Sequence, residues 1–190
     1  MTHPIVLDLE TQYSFKDVNN DHRKLKVSLV GIYDYGTKCY ETYLENELSS
    51  LFKKLEHASY LIGFNIRKFD LPVLSPYYVG RTDQFATIDI LSEVEKSLGF
   101  RISLDSLAFA TLGKKKSGHG FLAINYFQKG EMEKLKKYCL DDVRITRELF
   151  EYGKKEGHLY YFDAKGKKEI PVQLTSQKKV QSAVSLSLPF

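Results

Sequence analysis

The sequence predicts one α/β domain, a central mixed five-stranded sheet flanked by helices, followed by a small C-terminal β-hairpin and a tail. Three observations predict it. Strand-like segments open the chain in succession, a β-α-β alternation follows, and one helix longer than the rest closes the core. A length of 190 residues supports one such domain with a proper core, and not two of ordinary size.

Residues 4–10 (PIVLDLE) read as an apolar strand that turns acidic at its end, and 26–34 with 38–44 as two more around the turn Tyr35-Gly36-Thr37. Between the first two, Thr11 to Lys24 is polar and irregular, an exposed loop beside the end of the first strand. From Glu45 to His57, Leu48, Leu51, Phe52 and Leu55 recur at helical spacing, and Tyr60 to Gly63 is then a short buried strand. Residues 66–79 read as a helix bent near Pro72 and Pro76, and 86–90 as the fifth strand. A helix over 91–98 stops at Gly99, and Ser103 caps another over 104–112 that stops at Gly113.

Lys114 to Gly120 is a basic, glycine-containing loop, and Glu131 to Lys154 is the longest helix. One face of that helix reads Leu135, Cys139, Asp142, Ile145 and Leu149, which turns Asp142 inward. Strands at 158–162 and 169–174 pair around the turn Asp163 to Gly166. The domain is therefore expected to span 1–174, with its core over 4–152 and the hairpin over 158–174, leaving 175–190 as a flexible tail.

Composition excludes several classes. Hydrophobic residues at 43% and charged residues at 27% are ordinary for a water-soluble globular chain, and no apolar run is long enough to span a bilayer. The start carries no basic-then-apolar leader, so the expected location is cytoplasmic. Cys39 and Cys139 have no CxxC spacing, which argues against a zinc cluster or a disulfide framework; both read as small buried residues. Residues 1–152 hold 21 basic and 21 acidic side chains, whereas 153–190 hold seven Lys against three acids. A neutral body with a basic tail fits a phosphate-binding protein, and equally an ordinary solvated end.

Three acidic segments carry chemistry. In Val6-Leu7-Asp8-Leu9-Glu10, alternation places Asp8 and Glu10 on one face, where adjacent like charges cost energy unless a cation neutralises them. A strand fraying into solvent explains this motif as well. In Gly63-Phe64-Asn65-Ile66-Arg67-Lys68-Phe69-Asp70-Leu71-Pro72, Asn65 can cap the segment after it and Asp70 sits at the sheet's edge; an ordinary capped helix gives the same pattern. In the long helix, Tyr138 and Asp142 are four apart and share a face, whether as a functional pair or as a buried Tyr-Asp hydrogen bond.

Together, Asp8-x-Glu10, Asn65-xxx-Phe69-Asp70 and Tyr138-xxx-Asp142 resemble, in order, the three motifs of the DnaQ-like 3′-5′ exonucleases, which have the RNase H-like fold. The tyrosine, with Lys at position 137 instead of a histidine, places the resemblance in the DEDDy branch. It spans about residues 4–152 and is closest to exonuclease domains whose second motif reads GFN…FDLP. Asp89, in Thr-Ile-Asp-Ile-Leu, falls where many members carry a further acid.

That resemblance implies catalysis by Asp8, Glu10, Asp70, Tyr138 and Asp142, the four carboxylates holding two divalent cations. Oxygen donors without His or Cys suit Mg2+ or Mn2+ better than zinc. Nucleoside 5′-monophosphates would leave a 3′ end, from DNA in preference to RNA and from a single strand, in proofreading or repair. Thr11 and Gln12 would meet the terminal nucleotide, Phe64 or Asn65 would flank its sugar, and Lys114, Lys115 and Lys116 would meet the phosphate backbone. A triple Lys in a loop is also an ordinary solvated turn. The competing functions are a catalytically silent nucleic-acid-binding module and an RNase or endonuclease of the same fold.

The end, Ser185-Leu-Ser-Leu-Pro-Phe190, is apolar where a free tail is usually polar. It resembles the peptides with which bacterial replication and repair proteins dock on the β sliding clamp, with Leu186, Leu188 and Phe190 as the anchors and Ser185 where those peptides have Gln. Folding back onto the chain's own surface is the alternative.

Overall fold

The computed structural model describes residues 2–114 and 121–175, the side chain of Phe121 excepted. Strand β1 (Ile5–Thr11) lies at the centre of a five-stranded sheet. Antiparallel to it runs β2 (Val27–Asp34), which pairs in turn with β3 (Cys39–Tyr43); on the other side β4 (Leu61–Gly63) and β5 (Thr87–Asp89) run parallel to it. The order β3-β2-β1-β4-β5 is the expected mixed sheet. A bulge interrupts the β1–β2 pairing between Glu10 and Thr11, where Leu29 and Val27 are the consecutive partners and Ser28 is skipped. Bulges of this kind twist a strand end and re-aim its side chains, and this one adjoins the acidic end of β1.

Helix α1 (Leu48–Glu56) buries Leu48, Leu51, Phe52 and Leu55 at the predicted spacing. Together with α2 (Asp70–Leu74) it covers the face of β1 that carries Ile5, Leu7 and Leu9. The predicted bent helix over 66–79 is shorter: α2 ends at Leu74 and a 3-10 turn over Ser75–Tyr77 follows, because the proline at 76 cannot donate to a continuing α-ladder. Helices α3 (Ile90–Leu98) and α4 (Leu104–Leu112) stop at Gly99 and Gly113, both left-handed, and Ser103 caps α4 through the amide of Ser106.

Helix α5 (Phe121–Gln128) leads into the 25-residue α6 (Met132–Glu156), which crosses the other face of the sheet. Its buried stripe includes Leu135, Cys139, Asp142, Ile145 and Leu149, as the periodicity requires. The hairpin β6 (His158–Asp163) and β7 (Gly166–Pro171) seats Leu159 and Ile170 in the core that α6 shares with α3 and α4. Cys39 is exposed rather than buried, because β3 is an edge strand. Among the described residues no helix is long and apolar enough to cross a membrane.

Candidate active site

Strand alternation leaves Asp8 and Glu10 half-buried on one side of β1 while Leu7 and Leu9 are buried on the other. Helix α6 lies over the acidic side. Gly31 of β2 lets it come close: a Cβ there would stand 2.8 Å from Cys139 Sγ and 3.1 Å from Val143 Cγ2. The Cys139 thiol consequently reaches the carbonyl of Asp8 at 3.6 Å and its Oδ2 at 4.0 Å. Burial, and then the charges of Asp8, Glu10 and Asp142, push this thiol well above its usual range. Ligand atoms of Asp8, Glu10 and Cys139 lie within 4.8 Å of one another and can together hold a single metal ion.

Asp142 and Tyr138, each 4% exposed, sit one turn apart on the same buried face of α6. Asp70, the first residue of α2, is 2% exposed and joins neither that cluster of ligand atoms nor the lining of the cavity beside it. Burial pushes its carboxyl up to about 8, with the charge of Asp89 adding and its own amide and that of Leu9 opposing. Leu9 stands between Asp8 and Glu10, so this contact ties Asp70 to the acidic strand. Oδ1 of Asp70 has no hydrogen-bond partner among the described residues.

Asp89 organises the approach to Asp70. Almost fully buried, it accepts the amides of Asn65 at 2.9 Å and Ser92 at 3.2 Å through Oδ1, and the amide of Arg67 at 3.1 Å through Oδ2. Asn65 takes a left-handed φ of 69° in this turn. It caps no helix: its carbonyl accepts the amides of Lys68 and Phe69, and Phe69 holds the position before α2. A further acid after the fifth strand thus acts on backbone, as the cap of α3 and the clasp of the segment leading to Asp70.

Asp8, Glu10, Tyr138 and Asp142 line one open cavity of about 700 Å3. Its lining also includes residues that the sequence did not single out as site residues: Tyr13 and Phe15 from the loop after β1, Phe69 before α2, and Ile124 of α5. Phe15 meets His22 edge-on at 4.9 Å and Phe69 at 5.9 Å, yet its ring stays 38% exposed. Among the described residues Lys16 is a cation in its lining. The one sequence signal for this lining was the pair of aromatics in an otherwise polar loop.

The expected substrate contacts divide. Thr11 lines the cavity, with its hydroxyl donating to the carbonyl of Tyr13 at 2.9 Å. Gln12 turns away, donating to the carbonyl of Val27 at 2.9 Å and to Glu45 at 2.8 Å. Phe64 packs against the core beneath α6, and Asn65 accepts from Arg101 at 2.8 Å; neither lines the cavity. Lys114 is paired with Glu148 at 2.7 Å. Lys115, Lys116, Leu186, Leu188 and Phe190 lie outside the described residues.

The sequence pattern of the RNase H superfamily matches residues 5–153, most of the chain. The chain belongs to the RNase H superfamily. Among solved structures this RNase H superfamily domain is similar to the family B DNA polymerase from the hyperthermophilic archaeon Pyrobaculum calidifontis, with a TM-score of 0.61 and 17% identity. The likeness covers 80% of this chain and 24% of the polymerase, so the chain spans about a quarter of that protein's length, and it is a likeness of fold. No curated protein matches the chain. Hairpin β6–β7 falls beyond the matched residues.

Proposed function

We propose that this chain is a metal-dependent 3′-5′ exonuclease of the DEDDy type, which removes nucleoside 5′-monophosphates from a single-stranded 3′ end, DNA in preference to RNA. The observation that carries this reading is the convergence of Asp8, Glu10, Tyr138 and Asp142 on one cavity that Tyr13, Phe15 and Phe69 also line. Such rings offer faces on which an unpaired base can stack, at about 1–3 kcal/mol per base. A DNA polymerase domain of similar fold accords with DNA as the polymer.

On this reading the site takes two hard divalent cations, Mg2+ or Mn2+. It is rich in carboxylate oxygen, and the buried Oδ1 of Asp70 has no partner within the described protein to satisfy it. Cys139 is fully buried against Gly31 with its thiol 4.0 Å from Asp8 Oδ2, and burial keeps that thiol protonated, so on this reading it would leave the ions to the carboxylates. Asp8, Glu10, Asp142 and Asp70 would be the carboxylates that hold them. When bound, the ions supply Lewis acidity for an attacking water and for the leaving 3′ oxygen.

The protein's own groups do the rest. Tyr138 orients the attacking water from its place one turn before Asp142. Phe15 and Tyr13 stack the terminal base, Thr11 contacts its sugar, and Lys16 meets the phosphate beyond it. Positioning of this kind lowers the barrier because the reacting atoms are held before the reaction starts.

The test uses 5′-labelled single-stranded DNA and RNA of equal sequence with Mg2+ or Mn2+, comparing the wild type with Asp8→Ala. A ladder shortening from the 3′ end, lost in EDTA and reduced about 10³-fold by the substitution, is the expected result. Cleavage that Asp8→Ala leaves unchanged, or none of either polymer, would leave a nucleic-acid-binding module as the better account.

A further inference from the structure

At the free edge of the sheet lies a second cleft, of about 430 Å3, lined by none of the four site carboxylates. Its walls are the 3-10 turn over His22–Lys24, helix α2, the turn over Thr82–Gln84 and the start of β5. Two arginines face it. Arg67 is fixed against the edge strand, its Nε donating to Thr87 Oγ1 at 2.7 Å and its Nη2 to the Thr87 carbonyl at 2.6 Å. Those bonds use two of a guanidinium's five N–H donors, and the others have no partner among the described residues. Arg23 brings a second guanidinium, exposed and without a side-chain partner among the described residues.

The lining holds these two arginines against one acid, Asp83. Asp83 is engaged by Arg81 in a bidentate pair, at 3.1 and 2.8 Å. The cleft is therefore left with an excess of positive charge held by planar, multi-donor groups, one of them preoriented by Thr87. Like charges facing one cavity favour an anion between them, and forked guanidinium donors match the oxygens of a phosphate. Leu71, Pro72 and Phe85 add apolar lining, and the volume falls in the range of small-ligand sites.

We propose that this cleft binds a nucleoside phosphate, with Arg23 and Arg67 on the phosphate and Leu71, Pro72 and Phe85 against the base. The ligand is either a free nucleotide or one residue of a strand. Leu71 follows Asp70 in α2, so an occupant of the cleft bears on the helix that places that carboxylate.

The test is calorimetric titration of the full chain in EDTA with dAMP and with inorganic phosphate. EDTA removes divalent cations from the site on β1, so the outcome is independent of whether the nuclease reading holds. Saturable binding of dAMP, about tenfold tighter than phosphate and weakened about tenfold in Arg23→Ala and in Arg67→Gln, is expected. Arg23 is exposed, so its substitution tests the cleft even where Arg67→Gln loosens the sheet edge. No saturable binding to the wild type, affinity equal to that for phosphate, or affinity kept by both variants would overturn the proposal. A short single-stranded oligonucleotide then separates the sources: displacement of dAMP that depends on Arg23 identifies a strand, and failure to displace it identifies the free nucleotide.

Discussion

Asp89 accepts the backbone amide of Asn65 at 2.9 Å across 24 residues of sequence, and with Arg67 and Ser92 it collects three amides on one buried carboxylate. Removing it strands those donors next to the segment that delivers Asp70. Asp89→Ala is expected to cost about 2–4 kcal/mol, lowering Tm by about 5–15 °C, and to reduce kcat along with stability. Asp89→Asn, which keeps one acceptor oxygen, should recover part of both. Thermal unfolding beside single-turnover cleavage measures the two effects. A variant that lost stability and kept kcat would show that Asp89 holds α3 alone.

Asp70 should show the opposite balance between stability and activity. Burial raises its carboxyl to about 8 in the folded chain, against 3.8 for the unperturbed group. Between roughly pH 4 and pH 8 the folded state thus holds a proton that the unfolded state has released, so this group's contribution to stability falls as pH rises through that window. In EDTA, Asp70→Asn should raise Tm by about 3–10 °C at pH 8 and by less at pH 5, while abolishing cation-dependent cleavage. Melting curves at both pH values decide it. A variant no more stable than the wild type at pH 8 would mean that the carboxylate is compensated in the folded protein.

The residues that were legible in the sequence are those whose signals are local. Period-two alternation around Leu7 and Leu9 fixed the side of Asp8 and Glu10, the α6 stripe turned Asp142 inward, and Gly99 and Gly113 marked helix ends with their left-handed conformations. What escaped depends on distant partners. Asn65 resembles a cap, but Asp89 takes its amide and the helix starts five residues later. Helix α5, FLAINYFQ, is apolar around most of its circumference and shows no period. Tyr13 and Phe15 become a cavity wall only because Phe69 and Ile124 are brought against the loop from elsewhere in the chain.

Gly31 sets the distance between β2 and α6, and with it the placement of Tyr138 and Asp142. In Gly31→Ala the new methyl would meet Cys139 Sγ at 2.8 Å, Val143 Cγ2 at 3.1 Å and Leu140 Cδ2 at 3.3 Å, all on one helix face. The helix must move outward, at a cost of about 1–3 kcal/mol. Cleavage should fall with it, because a shift of about 1 Å in a positioned group costs on the order of 10²-fold. Adding Cys139→Ala removes the nearest clash, so the double variant should regain stability and activity relative to Gly31→Ala. Strict additivity of the two substitutions would show that the glycine does not act through this contact.

Phe15 separates binding of the strand end from the chemistry. Its ring is held edge-on by His22 and Phe69 and remains partly open to the cavity, so truncation removes a stacking face without touching a carboxylate. Phe15→Ala is expected to raise KM for single-stranded DNA by about 5- to 100-fold, the equivalent of about 1–3 kcal/mol, with kcat changed far less. Phe15→Trp should restore the low KM, because any flat ring can serve as the platform. A fall in kcat at unchanged KM would instead place Phe15 among the groups that align the reacting phosphate, and the stacking role would then have to pass to Tyr13.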